Sequence, residues 1–172
     1  ICTGGSISIK TPDGIAKNVG LTRIHMEEDS GKSIHDLSPF ETLIDLNRAG
    51  VPLLEIVSEP DMSSGDEAYA YLTEVRKLVR YLEVCDGNME EGSLRCDANI
   101  SVMKKGSKVY GTRVEVKNLN SFKAMESAIA YEVARHIEVL ESGGGLIQET
   151  RGWDENRSRT FSQRVKESAD DY

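Results

Sequence analysis

Carboxylates and cations in this 172-residue chain fall at spacings suited to phosphoryl chemistry. In the run Leu53, Leu54, Glu55, Ile56, Val57, side chains alternate between sheet faces, so Glu55 shares a face with Leu53 and Val57 and is half buried if that face is covered. A buried carboxylate needs a cation or hydrogen-bond donors. An Arg or Lys inside the fold satisfies that need, and so does a metal ion. Hard oxygen ligands such as Glu28 and Glu55 suit Mg²⁺, which in turn bridges nucleotide phosphates. Basic groups such as Arg95 and Lys117 balance charge on a transferring phosphoryl group, and with Asp97 and Glu115 they make an array of alternating sign. Such a floor activates carboxylates, which are poor acyl donors until a phosphate replaces oxide as the leaving group.

Strands must position these residues. From Leu94 to Val102 the even positions Leu94, Cys96, Ala98, Ile100 and Val102 are apolar, while the odd positions Arg95, Asp97, Asn99 and Ser101 are polar. Val114 and Val116 alternate in the same way with Arg113, Glu115 and Lys117. A hairpin around Gly106 then aligns two polar ladders on one sheet face. The competing reading is an ordinary solvated face stitched by cross-strand salt bridges. Against it stand the short or strongly directional Arg, Asp and Asn side chains, and a MEEGS turn whose backbone N–H groups and Glu90 or Glu91 can join the same floor. In the strand Leu21 to Glu28, Glu28 falls in phase with Ile24 and Met26 rather than with His25, so its presentation to a metal requires a bulge or strand end. His25 reads as a surface or core histidine, with a supporting place behind the metal ligands as the alternative. The GKS at 31–33 lacks the upstream GxxxxGK frame and is not a phosphate loop.

Around these lie further strands at Ser6 to Lys10, Thr42 to Asn47 and Leu53 to Ser58, parted by Pro12, Asp13, Gly14 and by Ala49, Gly50, Val51, Pro52. Ser63, Ser64 and Asp66 offer N-caps for a helix to about Val84, with the stripe Ala68, Leu72, Val75, Val79, Leu82. A second helix starts near Ser121, shows Phe122, Met125, Ile129, Val133, Ile137 and Leu140, and stops at Gly143, Gly144, Gly145. Its His136 reads as a surface or capping residue. The expected fold is α+β: a mostly antiparallel sheet with two helices on one face and the polar face open. Length alone suggests one domain.

Charge is unevenly spread. The net value is −8, but Glu27 to Glu67 holds eleven acids, Asp36 among them, against Lys32 and Arg48. From Arg151 to Lys166 the balance reverses, five bases facing Asp154 and Glu155. One end suits a metal and the other phosphate. No apolar run approaches the roughly 20 residues that span a bilayer. The three cysteines, Cys2, Cys85 and Cys96, lack metal-site spacing and point to a reduced compartment, with Cys96 a core residue rather than a nucleophile.

Four segments, LNRAGVPLLEIVSEPD at 46–61, RIHMEEDSGKS at 23–33, MEEGSLRCDANISV at 89–102 and EVKNLNSF at 115–122, occur in one order. In them the chain resembles the B subunit of the tRNA-dependent amidotransferases and its archaeal E-subunit relatives. The resemblance implies an internal piece, 1–172, of a single catalytic cradle domain like that of glutamine synthetase. A further N-terminal strand and the C-terminal helical and tail domains are then absent, and the piece alone is inactive or nearly so, retaining at most weak Mg²⁺ or nucleotide affinity. It also implies the reaction: ATP and Mg²⁺ phosphorylate the side-chain carboxylate of Glu or Asp misacylated on tRNA, and ammonia from a partner amidase subunit displaces the phosphate to give Gln-tRNA or Asn-tRNA. A small C subunit completes the assembly. The compartment implied is the cytoplasm, or a mitochondrion or plastid in a eukaryote. Glu28 and Glu55 match positions that the family uses around its metal, whereas Arg95, Asp97, Glu115 and Lys117 rest on the ladder argument. Two other readings remain open, a noncatalytic tRNA- or subunit-binding module and a glutamine-synthetase-like ligase acting on free amino acids.

Overall fold

The computed structural model describes residues 1–34, 37 and 40–165; Asp36 and Lys166, counted in the charge reading, lie outside the described residues. Where length suggests one domain, contacts divide the chain into two compact units, Ile1–Ile7 with Asn18–Asp61, and Ser8–Lys17 with Met62–Tyr172.

The long strand β3 (Ala16–Glu28) pairs with β1 (Cys2–Thr3), β2 (Ser6–Lys10) and β6 (Pro52–Ser58), and its stretch from Asn18 on, with β6, makes up much of the first unit. The turn of the β2–β3 hairpin closes through Gly14 N to Thr11 O at 2.8 Å, at the expected Pro-Asp-Gly. The short strands β4 (Lys32–Ile34) and β5 (Leu43–Asp45) form a separate two-stranded ladder. Before β6 the chain reverses at Gly50, whose φ of +77° suits a residue without Cβ. Asp29 anchors that turn: it is 8% exposed, its Oδ2 lies 3.0 Å from Arg48 Nε, and its backbone bonds Val51 and Gly50.

In the second unit, α1 (Gly65–Tyr81) and α2 (Phe122–Glu141) start where the caps predict. Ser64 Oγ accepts from Glu67 N at 3.2 Å and Ser121 Oγ from Ala124 N at 3.0 Å, each satisfying an orphan N–H of the first turn. The sheet runs β10 (Arg159–Val165), β9 (Glu149–Asp154), β8 (Val114–Lys117), β7 (Ala98–Ile100). The fold is α+β, and the antiparallel β7–β8 pair forms as the alternation demands, Asn99 opposite Glu115. Two features depart from expectation. Residues 149–165 form a strand pair that the polar composition of ETRGWD hid, and β9 lies parallel to β8 in an otherwise antiparallel arrangement.

Helix α2 packs on β7 and β10, and α1 packs on α2. Leu72, Met89, Ile100, Val116, Leu119, Met125, Ala128 and Trp153 meet in one core, a contiguous apolar burial of the kind that drives folding. The α2 stripe is corrected, however. Its buried face is Ala124, Met125, Ala128, Glu132 and His136, while Ile137 and Leu140 are 43% and 47% exposed. His136, expected at the surface or a cap, is fully buried, because Glu132 and its partners line the same face.

Candidate functional site

The residues singled out for chemistry fall into two clusters, one in each unit. In the first unit, β6 runs antiparallel to β3 with Glu55 opposite His25. Period two then puts Arg23, His25, Glu27 and Glu55 on one face. Their heads converge: His25 Nε2 is 2.8 Å from Glu27 Oε1 and 3.7 Å from Glu55 Oε1, Arg23 Nε donates to His25 Nδ1 at 3.3 Å, and an Arg23 terminal nitrogen sits 3.7 Å from Glu55 Oε1. Ligand atoms of His25, Glu27 and Glu55 all lie within 4.8 Å of one another. Glu55, expected to be half buried, has a side chain that is 45% exposed, yet it stands beside a cation and within a metal-sized cluster.

Glu28 does not join it. It pairs with Pro52 at the end of β3, and the register shift in this ladder lies between Leu21 and Arg23, so no bulge turns Glu28 onto the face of Glu55. It stays in phase with Ile24 and Met26. Glu27 takes the place beside Glu55, a choice that the adjacent acids of HMEED leave undecided until the register with β6 is known.

In the second unit the open face of β7, β8 and β9 carries the other cluster. Lys117 Nζ bonds Asp97 Oδ2 at 2.6 Å and lies 3.5 Å from Glu115 Oε1. Thr150 Oγ1, from the parallel neighbour β9, donates to Glu115 Oε2 at 3.1 Å. Burial pushes the Lys117 ammonium down, but the hydrogen bond and charge of Asp97, then Glu115, hold it above the ordinary lysine value, so it is cationic at neutral pH. Arg95 is exposed in the extended segment that leads into β7, two residues before Asp97. A cleft of about 450 Å³ opens over this face, lined by Glu115, Lys117, Thr150, Gln163 and Arg164. Thr150 and Gln163 were not singled out from sequence, since the strands that carry them were not, and Arg164 was counted only within the basic run 151–166.

Two neighbouring features settle differently. The MEEGS turn forms, but the backbone N–H groups of Glu90 and Glu91 are taken by Asn88 Oδ1 at 3.0 and 3.4 Å, so they are not donors to the cleft. Cys96 lies under the sheet, where burial and then the charge of Asp97 push its thiol up to about 12; a thiol so held is no nucleophile at neutral pH.

Both clusters are built of groups that bind oxyanions and hard cations. Over residues 1–172 the sequence matches the family described as the GatB/GatE catalytic domain. It is similar to the aspartyl/glutamyl-tRNA(Asn/Gln) amidotransferase subunits B of Chlorobium phaeobacteroides (58% identical), Chlorobium chlorochromatii (59%) and Myxococcus xanthus (58%), each over 172 residues. All of this chain is covered in these matches but 36% of each relative, so the chain spans about a third of the length of the curated relatives it matches. With the family's description matched from end to end, the chain belongs to the GatB/GatE catalytic-domain family.

Proposed function

We propose that this chain is part of the subunit that activates the side-chain carboxylate of Glu or Asp misacylated on tRNA, by transfer of a phosphoryl group from ATP, for amidation by ammonia. The observation that carries the proposal is the Asp97–Lys117–Glu115 row on an uncovered sheet face above a cleft. Asp97 and Glu115 hold the Lys117 ammonium at a fixed point, and Thr150 fixes Glu115. A cation placed in advance stabilises charge that develops on a transferring phosphoryl group without reorganising during the step. Arg95, on the same alternation, supplies a second cation to that face.

The donor set of His25, Glu27 and Glu55 fits a divalent cation. Its two carboxylates are the hard oxygen ligands that Mg²⁺ prefers, with one imidazole beside them. The sequence reading assigns the metal to Glu28 and Glu55; the geometry favours Glu27 for the place given to Glu28. When bound, the ion would neutralise negative charge on a phosphate. Arg23, 3.7 Å from Glu55, balances that carboxylate meanwhile.

The acid cluster also supports this reading over a noncatalytic RNA-binding module, which gains nothing from clustered carboxylates. Ammonia would come from an amidase subunit, with a small C subunit completing the assembly, in the cytoplasm or in an organelle of a eukaryote. The likeness to glutamine synthetase belongs to the same proposal.

The test is ATP-dependent conversion of Glu-tRNA to Gln-tRNA by the full-length subunit assembled with its amidase partner, comparing wild type with Glu55→Gln at saturating Mg²⁺. A loss of roughly tenfold or more in amidated product, with glutaminase activity retained, is expected where a metal ligand is replaced. Unchanged product formation would remove Glu55 from the activating site and revive the binding module.

A further inference from the structure

Strand β10 contains one residue too many for its partner. Its ladder with β9 is regular from Arg159 opposite Asp154 to Ser162 opposite Arg151, then resumes with Arg164 opposite Thr150. Gln163 is the extra residue of a β-bulge, a device that re-aims side chains. In an unbroken ladder Gln163 would stand opposite Thr150, and Arg164 would stand opposite Glu149 on the α2 face. There Glu149 is already bonded by Arg151 at 2.6 Å and by Ser162.

The bulge instead puts Arg164 in one cross-strand row with Thr150 and Glu115. Gln163 turns the same way, since its Nε2 lies over Gly152, where an added Cβ would come within 2.6 Å of it and of Phe161 Cζ. Gly152 stands opposite Lys117 in the parallel ladder. Its bare backbone makes the room that the Gln163 amide occupies. Both bulge residues consequently line the cleft with Glu115, Lys117 and Thr150.

Charge separates the two cations of the cleft. Lys117 is matched by Asp97 and Glu115, whereas Arg164 makes no ion pair and Gln163 no side-chain hydrogen bond among the described residues. A guanidinium on a rigid strand presents a planar fork that fits two oxygens of a phosphate, and a neighbouring amide adds one more donor. Resting on the ATP-dependent reading above, we propose that Arg164 and Gln163, turned onto the open face by the bulge, bind phosphate oxygens of the nucleoside triphosphate.

The test uses the full-length subunit assembled with its amidase partner. For Arg164→Gln the KM for ATP should rise roughly ten- to hundredfold, the scale of a lost charge-assisted hydrogen-bond pair. The KM for misacylated tRNA, the glutaminase rate and the melting temperature should not change, because Arg164 is exposed. Arg164→Lys should recover only part of the loss, since an ammonium cannot fork, and Gln163→Ala should raise the KM for ATP by about threefold. A wild-type KM for ATP in Arg164→Gln overturns the proposal. So does a rise confined to the KM for tRNA, which would give Arg164 to an RNA phosphate. If the wild-type complex forms product without ATP, the underlying reading falls and takes this one with it. Normal ATP dependence with an unaffected Arg164→Gln sinks this one alone.

Discussion

The two faces of the β10–β9–β8–β7 sheet carry similar residue types and use them in opposite ways. Toward α2, Glu149, Arg151, Thr160 and Ser162 meet Glu132, Arg135 and His136. Glu132 is completely buried; Arg135 reaches it at 2.8 Å, Arg151 at 3.2 Å and His136 Nε2 at 3.2 Å, while Thr160 Oγ1 donates to it. Thr160 in turn accepts from Arg151 Nε at 2.9 Å. Away from α2, Lys117 and Arg164 look onto a cleft. A carboxylate closed in by its own partners has no capacity left for a ligand, whereas a cation held at the edge of a cleft does. What separates structure from site here is therefore saturation, not the kind of side chain.

The strongest way to break this comparison is to open the buried network. Glu132→Gln removes the anion shared by Arg135, Arg151 and His136; Arg151 keeps Glu149 at 2.6 Å, but the poorly exposed Arg135 is left with Glu149 alone, at 4.0 Å. Breaking a buried pair from one side costs about 3–5 kcal/mol. Denaturant unfolding should show a loss of that size. A loss below about 1 kcal/mol, the value of an exposed pair, would mean that the two faces are energetically alike.

Acid offers a graded version of the same test. Burial raises the Glu132 carboxyl, but the adjacent His136 ring, the donors Arg135 and Thr160 and the charge of Arg135 outweigh it and bring it down to about 2. A carboxylate whose folded value is depressed stabilises the fold fully above its unfolded value, near pH 4.5, and loses that contribution as pH falls through the folded value. Stability should thus decline between about pH 4.5 and pH 2 by on the order of 3 kcal/mol from this group, and the decline should vanish in Glu132→Gln. An equal acid limb in wild type and Glu132→Gln would assign the effect to other carboxyls.

The contrast also explains what could be read from the sequence. On the open face the alternation of Leu94 to Val102 with Val114 to Lys117 located β7 and β8 and put Asp97 and Lys117 on one face, since apolar residues there face a core and polar ones do not; which carboxylate Lys117 meets depends on the register. Ser64 and Ser121 likewise located both helix starts by their local hydrogen bonding. The other face was illegible for the reverse reason. Strands β9 and β10 turn Glu149, Arg151 and Thr160 inward beside Trp153, so most of their inward positions are polar and no hydropathy period marks them. His136 and Glu132 were hidden by the same inversion. Glu27 and Glu28 are adjacent acids separated only by register, and a bulge at Gln163 depends on pairing that a single strand does not encode.

The smallest expected effect sharpens the comparison from the open side. Asp97→Asn breaks the 2.6 Å bond to Lys117 Nζ, but both side chains are more than 40% exposed and Lys117 keeps Glu115 at 3.5 Å. Solvent screens such a pair, so unfolding free energy should change by less than about 1 kcal/mol. The Lys117 ammonium, however, loses one of the two carboxylates that hold it above its ordinary value, and its titration should shift downward. Measuring both in one variant distinguishes placement from stability: a large unfolding penalty would make Asp97 part of the scaffold, whereas a shifted Lys117 titration with an intact fold would confirm that Asp97 acts by positioning the cation over the cleft.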